Sequence, residues 1–293
     1  MITLAVLGSG SKGNAFVLGC GGGALLIEAG FGARTILRRM ADQGLDAAAI
    51  QGIVLTHEHG DHAQGGPALA QRLGVPLLCS GGTWRALGRP EGVAHVRLRP
   101  SRTMEFGPFT IDACITTHDA DEPLAIAVTT RELRVGVATD IGRPTAAVRY
   151  LLRQSNALVI ESNYDEVQLR MGRYPSSVQH RIAGSRGHLS NRAAADLVTE
   201  LLHDGLRAVV LAHLSQQCND PATARRTVEP LLRSRGFLGE LWVAEQDRSL
   251  PTICIRPAPG PAQGELALRW TAPEPAPTPQ AGGRAARQSL GGT

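Results

Sequence analysis

Thr56-His57-Glu58-His59-Gly60-Asp61-His62 follows directly on the apolar run Gly52-Ile53-Val54-Leu55. It places three imidazoles and the Asp61 carboxylate within six residues, and these are the groups that hold Zn²⁺, Mn²⁺ or Fe at neutral pH. His57 and His59 share a face if the chain between them is extended, so both can meet one cation. Asp61 and His62 lie past the bend, free to meet a second. A lone HxH is common and means little. Four ligand positions between an apolar strand and the helix-like run from Gln64 to Leu73 read as a metal site.

Further along, His118 sits in Ile115-Thr116-Thr117-His118-Asp119-Ala120, Asp140 follows the strand-like run Leu133 to Thr139, and His213 follows Ala208 to Ala212. Each stands at or just past a β-rich run, where α/β proteins collect functional residues on a fixed scaffold. In this order after HxHxDH, the series resembles the ligands of the metallo-β-lactamase fold. The resemblance implies a first metal on His57, His59 and His118, a second on Asp61, His62 and His213, and Asp140 bridging them. Two divalent ions so held, Zn or Mn with Fe also suited, could carry a bridging hydroxide.

Residues outside the ligand series narrow the likeness. Gly8-Ser9-Gly10-Ser11-Lys12-Gly13-Asn14, His118-Asp119-Ala120 with Glu122-Pro123, Glu161-Ser162-Asn163, Gly187-His188-Leu189-Ser190-Asn191 and Leu211-Ala212-His213-Leu214-Ser215 resemble the motifs of the YycJ (WalJ) group of that superfamily, over residues 1–256. Two departures are Gly60, where the group often has Ser, and Tyr164, where it often has His. The resemblance implies a metal-dependent phosphodiesterase, most specifically a 5′→3′ exonuclease on double-stranded DNA. Asp61 would orient the hydroxide and His188 would protonate the leaving group. A small-molecule (cyclic) phosphodiesterase or another hydrolase of that fold, and after them a non-catalytic metal-stabilised regulatory module, are the alternatives.

The loop Gly8 to Asn14 offers Ser9, Ser11, Lys12 and Asn14 to an anionic oxygen, and Lys12 is the sole lysine of the chain. It reads equally as a plain turn. Ser190 and Asn191 admit two roles as well: contacts for the phosphate beside His188, or the N-cap of a helix beginning at Arg192. Glu161-Ser162-Asn163 is expected to support the metal shell from behind.

The chain has 293 residues, 43% of them apolar, enough to bury a full core. A net charge of +4 does not by itself argue for nucleic acid. Five scattered cysteines without CxxC point to reduced thiols and a cytoplasmic protein. No basic start with an apolar h-region and no long uncharged apolar run is present, so neither export nor a membrane is expected. The alternation of short strands and helices predicts an α/β, four-layer αββα sandwich over residues 1–256. Residues 257–293 hold seven of the 18 prolines and read as a disordered tail. Only 72 residues separate Asp140 from His213, too few for a large inserted cap domain.

Overall fold

A computed structural model describes residues 1–131 and 133–257. The tail expected from 257 onward therefore lies, apart from Pro257, outside the described residues.

One sheet is built from β1 (Ile2–Gly10), β2 (Gly13–Cys20), β3 (Gly23–Ile27), β4 (Ile50–Val54), β5 (Leu77–Cys79) and β6 (His95–Arg97), and β14 (Ile253–Ile255) returns to pair with β1 at its edge. Strands β1 to β3 form an antiparallel meander, and β3 to β6 run parallel. The other sheet repeats that plan. Its strands β7 (Met104–Phe106), β8 (Phe109–Ile115), β9 (Leu124–Thr130) and β10 (Leu133–Ala138) are antiparallel, and β10 runs parallel with β11 (Ala157–Glu161), β12 (Ala208–Ala212) and β13 (Glu240–Val243). β4, β11 and β12 are nearly uninterrupted apolar runs because both of their faces are covered.

Alternation along the strands sorts side chains between two interfaces. Leu4, Val6, Phe16 and Ile27 of the first sheet meet Ile111, Ile126, Val135 and Val159 of the second in a central core. Outside the first sheet, α1 (Ala33–Asp42) and α3 (Gly66–Leu73) lay Ile36, Met40 and Leu69 on Leu7, Leu26 and Ile53. Outside the second, α5 (Ala146–Leu152), α8 (Asn191–Glu200) and α9 (Pro221–Ser234) lay Val148, Leu152, Leu197 and Val228 on Ala127, Leu158 and Val209. The result is the expected αββα sandwich.

The other helices are short: α2 (Gly60–Ala63), α4 (Gly81–Ala86), α6 (Glu166–Met171) and α7 (Ser176–Ala183). Side-chain oxygens of Ser80, Thr145, Asp165, Ser190 and Asp220 cap α4, α5, α6, α8 and α9 by accepting backbone N–H groups that the helix leaves free. The helix expected from Gln64 begins only at Gly66. Gly65 donates to the Ala29 carbonyl, and a Cβ there would overlap the Phe31 carbonyl oxygen, so the chain breaks between α2 and α3. No helix among the described residues is long and apolar enough to cross a membrane.

Candidate metal centre

The parallel strands β4, β10, β11 and β12 deliver their carboxyl ends to one edge of the sandwich, the usual place for a ligand site in α/β folds. His57 and His59 follow β4, Asp61 and His62 fall in α2, His118 follows β8, Asp140 follows β10, and His213 follows β12. Asp140 and His213 have φ of 53° and 57°. A non-glycine residue in that left-handed region costs energy and is held there only by its surroundings; here it turns two strand-end side chains into a common space.

The ring nitrogens converge. His59 Nδ1 lies 3.1 Å from His57 Nε2 and 3.3 Å from His118 Nε2. Asp61 Oδ2 lies 3.1 Å from His213 Nε2 and 3.4 Å from His62 Nε2. Asp140 stands between these groups, its Oδ2 2.7 Å from His62 Nε2 and 3.9 Å from His57 Nε2, its Oδ1 3.9 Å from His118 Nε2. Three of these imidazoles have their other nitrogen held from outside, His57 Nδ1 by Thr56 Oγ1, His118 Nδ1 by the Gly187 carbonyl and His213 Nδ1 by Glu161, and His62 Nδ1 faces Glu28 Oε1 at 3.3 Å. Such outer partners fix the tautomer and aim of metal-ligating histidines.

These residues fit a metal. His59 Nδ1 lies within hydrogen-bond distance of both His57 Nε2 and His118 Nε2, its single lone pair cannot serve two donors, and a shared cation resolves the contact. Buried Asp140 Oδ2 has no hydrogen bond despite the nearness of His62. The donor set of nitrogen and carboxylate oxygen suits Zn, Mn and Fe alike.

Among the protein groups alone, the carboxylates and histidines of the site stabilise one another's charges. Burial would raise the Asp61 carboxyl, but hydrogen bonds from His213 and His62 outweigh it and hold Asp61 far below the carboxylate range. Burial likewise opposes ionisation of Asp140, and the charges of His213 and His62 overcome it. Burial, then repulsion from His62, pushes His57 below its ordinary value. His188 is held against Glu161 Oε1 at 2.7 Å and Asp140 Oδ1 at 2.9 Å. Burial works against its charge, but the Glu161 charge and hydrogen bonds to Asp140 and Glu161 lift it to about 10.

A cavity of about 310 Å³ opens over this edge, lined by His59, Asp61, His118, Asp140, His188 and His213 on its metal side. Ser11, at the turn between β1 and β2, is on its wall; Lys12 beside it is exposed and does not line it. Ser9 and Asn14 do not serve the anion contact expected of them. The buried Ser9 hydroxyl donates to Asn14 Oδ1 and accepts from the His213 N–H, and Asn14 Nδ2 donates to the Asp61 carbonyl, so both brace the ligand residues from behind. Ser190 and Asn191 are corrected in the same way. Ser190 caps α8 and donates to Glu166, while buried Asn191 bonds Ser162 and Asn219. Their oxygens and amide are spent inside the protein.

Tyr164 is buried against Leu169 and Cys218, outside the cavity lining. Gly60 opens α2 with free space where a Cβ would stand, so a serine would fit. Glu28 escaped the sequence reading: a carboxylate ending the apolar run Ala24 to Ile27, fully buried at φ 62°, it accepts from the Thr56 N–H and hydroxyl. A lone acid closing an apolar strand was the available signal.

Two cages of histidine and carboxylate, with an aspartate between them at the strand ends of an αββα sandwich, are the equipment of a metal-dependent hydrolase. The family follows from the sequence taken whole: the beta-lactamase superfamily domain matches residues 24–214, and the chain belongs to that superfamily. Among curated proteins it is similar to the exodeoxyribonuclease YycJ of Bacillus anthracis, 32% identical over 254 residues covering 85% of this chain and 96% of the relative. It is also similar to the exodeoxyribonuclease WalJ of Streptococcus pneumoniae, 29% identical over 230 residues covering 76% of this chain and 86% of the relative. Among solved structures, the metallo-beta-lactamase fold protein YhfI from Bacillus subtilis superposes with a TM-score of 0.66 at 18% identity, covering 85% of this chain and 98% of that one.

Proposed function

We propose that this protein is a DNA exonuclease, a phosphodiester hydrolase acting 5′→3′ on double-stranded DNA with two divalent metals, Zn or Mn. The observation that carries the reading is Asp140 standing between the His57–His59–His118 and Asp61–His62–His213 groups. The two relatives named as exodeoxyribonucleases supply the substrate class.

When bound, a pair of cations would lower the pKa of a water held between them and neutralise charge on the phosphate oxygens. The protein's part is positional. Asp61 Oδ2 faces the same space as His62 and His213 and would align the attacking water. His188 lines the cavity with Nδ1 tied to Glu161 and Asp140, which leaves Nε2 as the ring nitrogen able to pass a proton to the leaving alkoxide. Ser11 on the wall, with Lys12 at the rim, would meet a neighbouring phosphate. Its free thiols and the absence of any membrane-crossing helix among the described residues suit work in the cytoplasm.

The small cavity supports a second reading, a hydrolase of small cyclic phosphodiesters, since its volume lies at the low end of small-ligand sites. One assay separates them: metal-reconstituted protein on 5′-labelled duplex DNA, single-stranded DNA, RNA and bis-p-nitrophenyl phosphate. Stepwise release of nucleotides from duplex 5′ ends is the expected result. Turnover of the small ester with every polynucleotide left intact would favour the second reading.

A further inference from the structure

The cavity is lined by two unlike sets of side chains. Besides the histidines and carboxylates, its lining includes Tyr174, Val178, Arg181 and Ile182. Val178, Arg181 and Ile182 are three and four residues apart and share one stripe of α7, and Tyr174 extends the stripe ahead of the helix. No side chain of α7 is fully buried, so this helix is not there to fill the core. Tyr174 and Ile182 rest one side on the small cluster of Tyr164, Leu169 and Cys218 and present the other to the cavity.

Water activation needs no aromatic or aliphatic wall. A nucleotide does: its base and sugar offer flat apolar faces, and its phosphate offers an anion to a guanidinium. Arg186 is tied to Asp119 at 3.2 Å, whereas Arg181 is exposed and enters no ion pair among the described residues. The stripe is also fixed relative to His188. The His188 N–H donates to the Ile182 carbonyl at 2.8 Å, and a Cβ on Gly187 would overlap the carbonyl oxygens of Arg181 and Ile182. The last turn of α7 and the loop carrying His188 are therefore packed as one piece.

We propose that Tyr174, Val178, Ile182 and Arg181 form the subsite for the terminal nucleotide, the apolar stripe taking its base or sugar and Arg181 its phosphate on the far side from the metals. The inference rests on the nuclease reading above and adds its specificity element. A cavity of about 310 Å³ is of the size that takes one small ligand such as a nucleotide.

The test compares manganese-loaded wild type, Arg181→Gln and Tyr174→Leu on 5′-labelled duplex DNA and on methyl p-nitrophenyl phosphate, a diester with neither base nor second phosphate to meet α7. Each variant should raise KM on DNA by about tenfold or more, and Arg181→Gln should reduce the salt dependence of binding by about one phosphate contact. Metal content and turnover of the small ester should stay within about twofold of wild type, the limit below which tenfold discrimination is clear. An unchanged KM on DNA for both variants overturns the subsite. Equal losses on both substrates also overturn it, because α7 would then only support the metal edge. Wild type that leaves DNA intact overturns the nuclease reading itself, and the subsite with it.

Discussion

Asp140 and His188 are neighbours 2.9 Å apart, yet the geometry gives them different work. Asp140 faces both ligand groups, so Asp140→Ala should lower metal content from about two per chain, the number a two-metal centre requires. Elemental analysis of metal-saturated protein checks this, and an unaltered stoichiometry would refute the shared position. His188 stands beyond the inward-facing imidazoles. His188→Ala should keep both metals while turnover on DNA falls by roughly 10²–10⁴-fold, the scale of a positioned acid–base group. The loss should be smaller on a p-nitrophenyl ester, whose leaving group needs no proton. Equal losses on both substrates would make His188 a phosphate-binding residue.

At the level of elements, helices depend on the caps of their first turns. Asp220 Oδ1 accepts the Thr223 N–H at the start of α9, and its Oδ2 accepts the Thr223 hydroxyl. Those two hydrogen bonds, hydroxyl first, hold the carboxyl down to about 2. A carboxyl depressed on folding contributes stability above its unfolded value near about 4, and loses it as pH falls through about 2. Asp220→Ala should therefore cost about 1 kcal/mol near neutral pH, as removal of an N-cap does. Urea midpoints of variant and wild type should draw together between about pH 5 and about pH 2.5. A gap that stays constant over that range would mean the cap does not depend on the charge.

For the whole molecule, a net charge of +4 is too small to bind DNA as a uniform field, so affinity must come from local cations. Arg181 and Arg186 line the cavity, and exposed Lys12 follows Ser11 of its lining in the chain. Duplex DNA bound by a metal-depleted Asp61→Asn protein should be released steeply with salt, because each phosphate contact frees counterions. Fluorescence anisotropy between low and physiological salt measures the slope. A flat response would point to the closed small-molecule site.

Local order carried much of this protein in its sequence. The apolar runs at β4, β9, β11 and β12 and the cap at Ser190 depend on neighbours a few residues away, and the HxHxDH stretch spells out four ligand positions in a row. Those were legible because period and spacing need no partner. Short edge strands such as β7 and β14 were not, since three residues form a strand only when a distant strand supplies the ladder; β14 pairs with β1 across nearly the whole described chain. The same holds at the site. Ser9 and Asn14 looked like anion donors beside Ser11, and only packing showed their polar atoms turned inward to His213 and Asp61. Glu28 and Arg181 stand in no motif, and each acquires meaning from groups far off in sequence: Thr56 and His62 for one, the metal edge across the cavity for the other. The sequence determined which chemistry the chain could carry, because ligand types and their order are local. Which side chains face the substrate and which hold the ligands in place was decided by tertiary structure, because direction and burial are properties of the packed sheets.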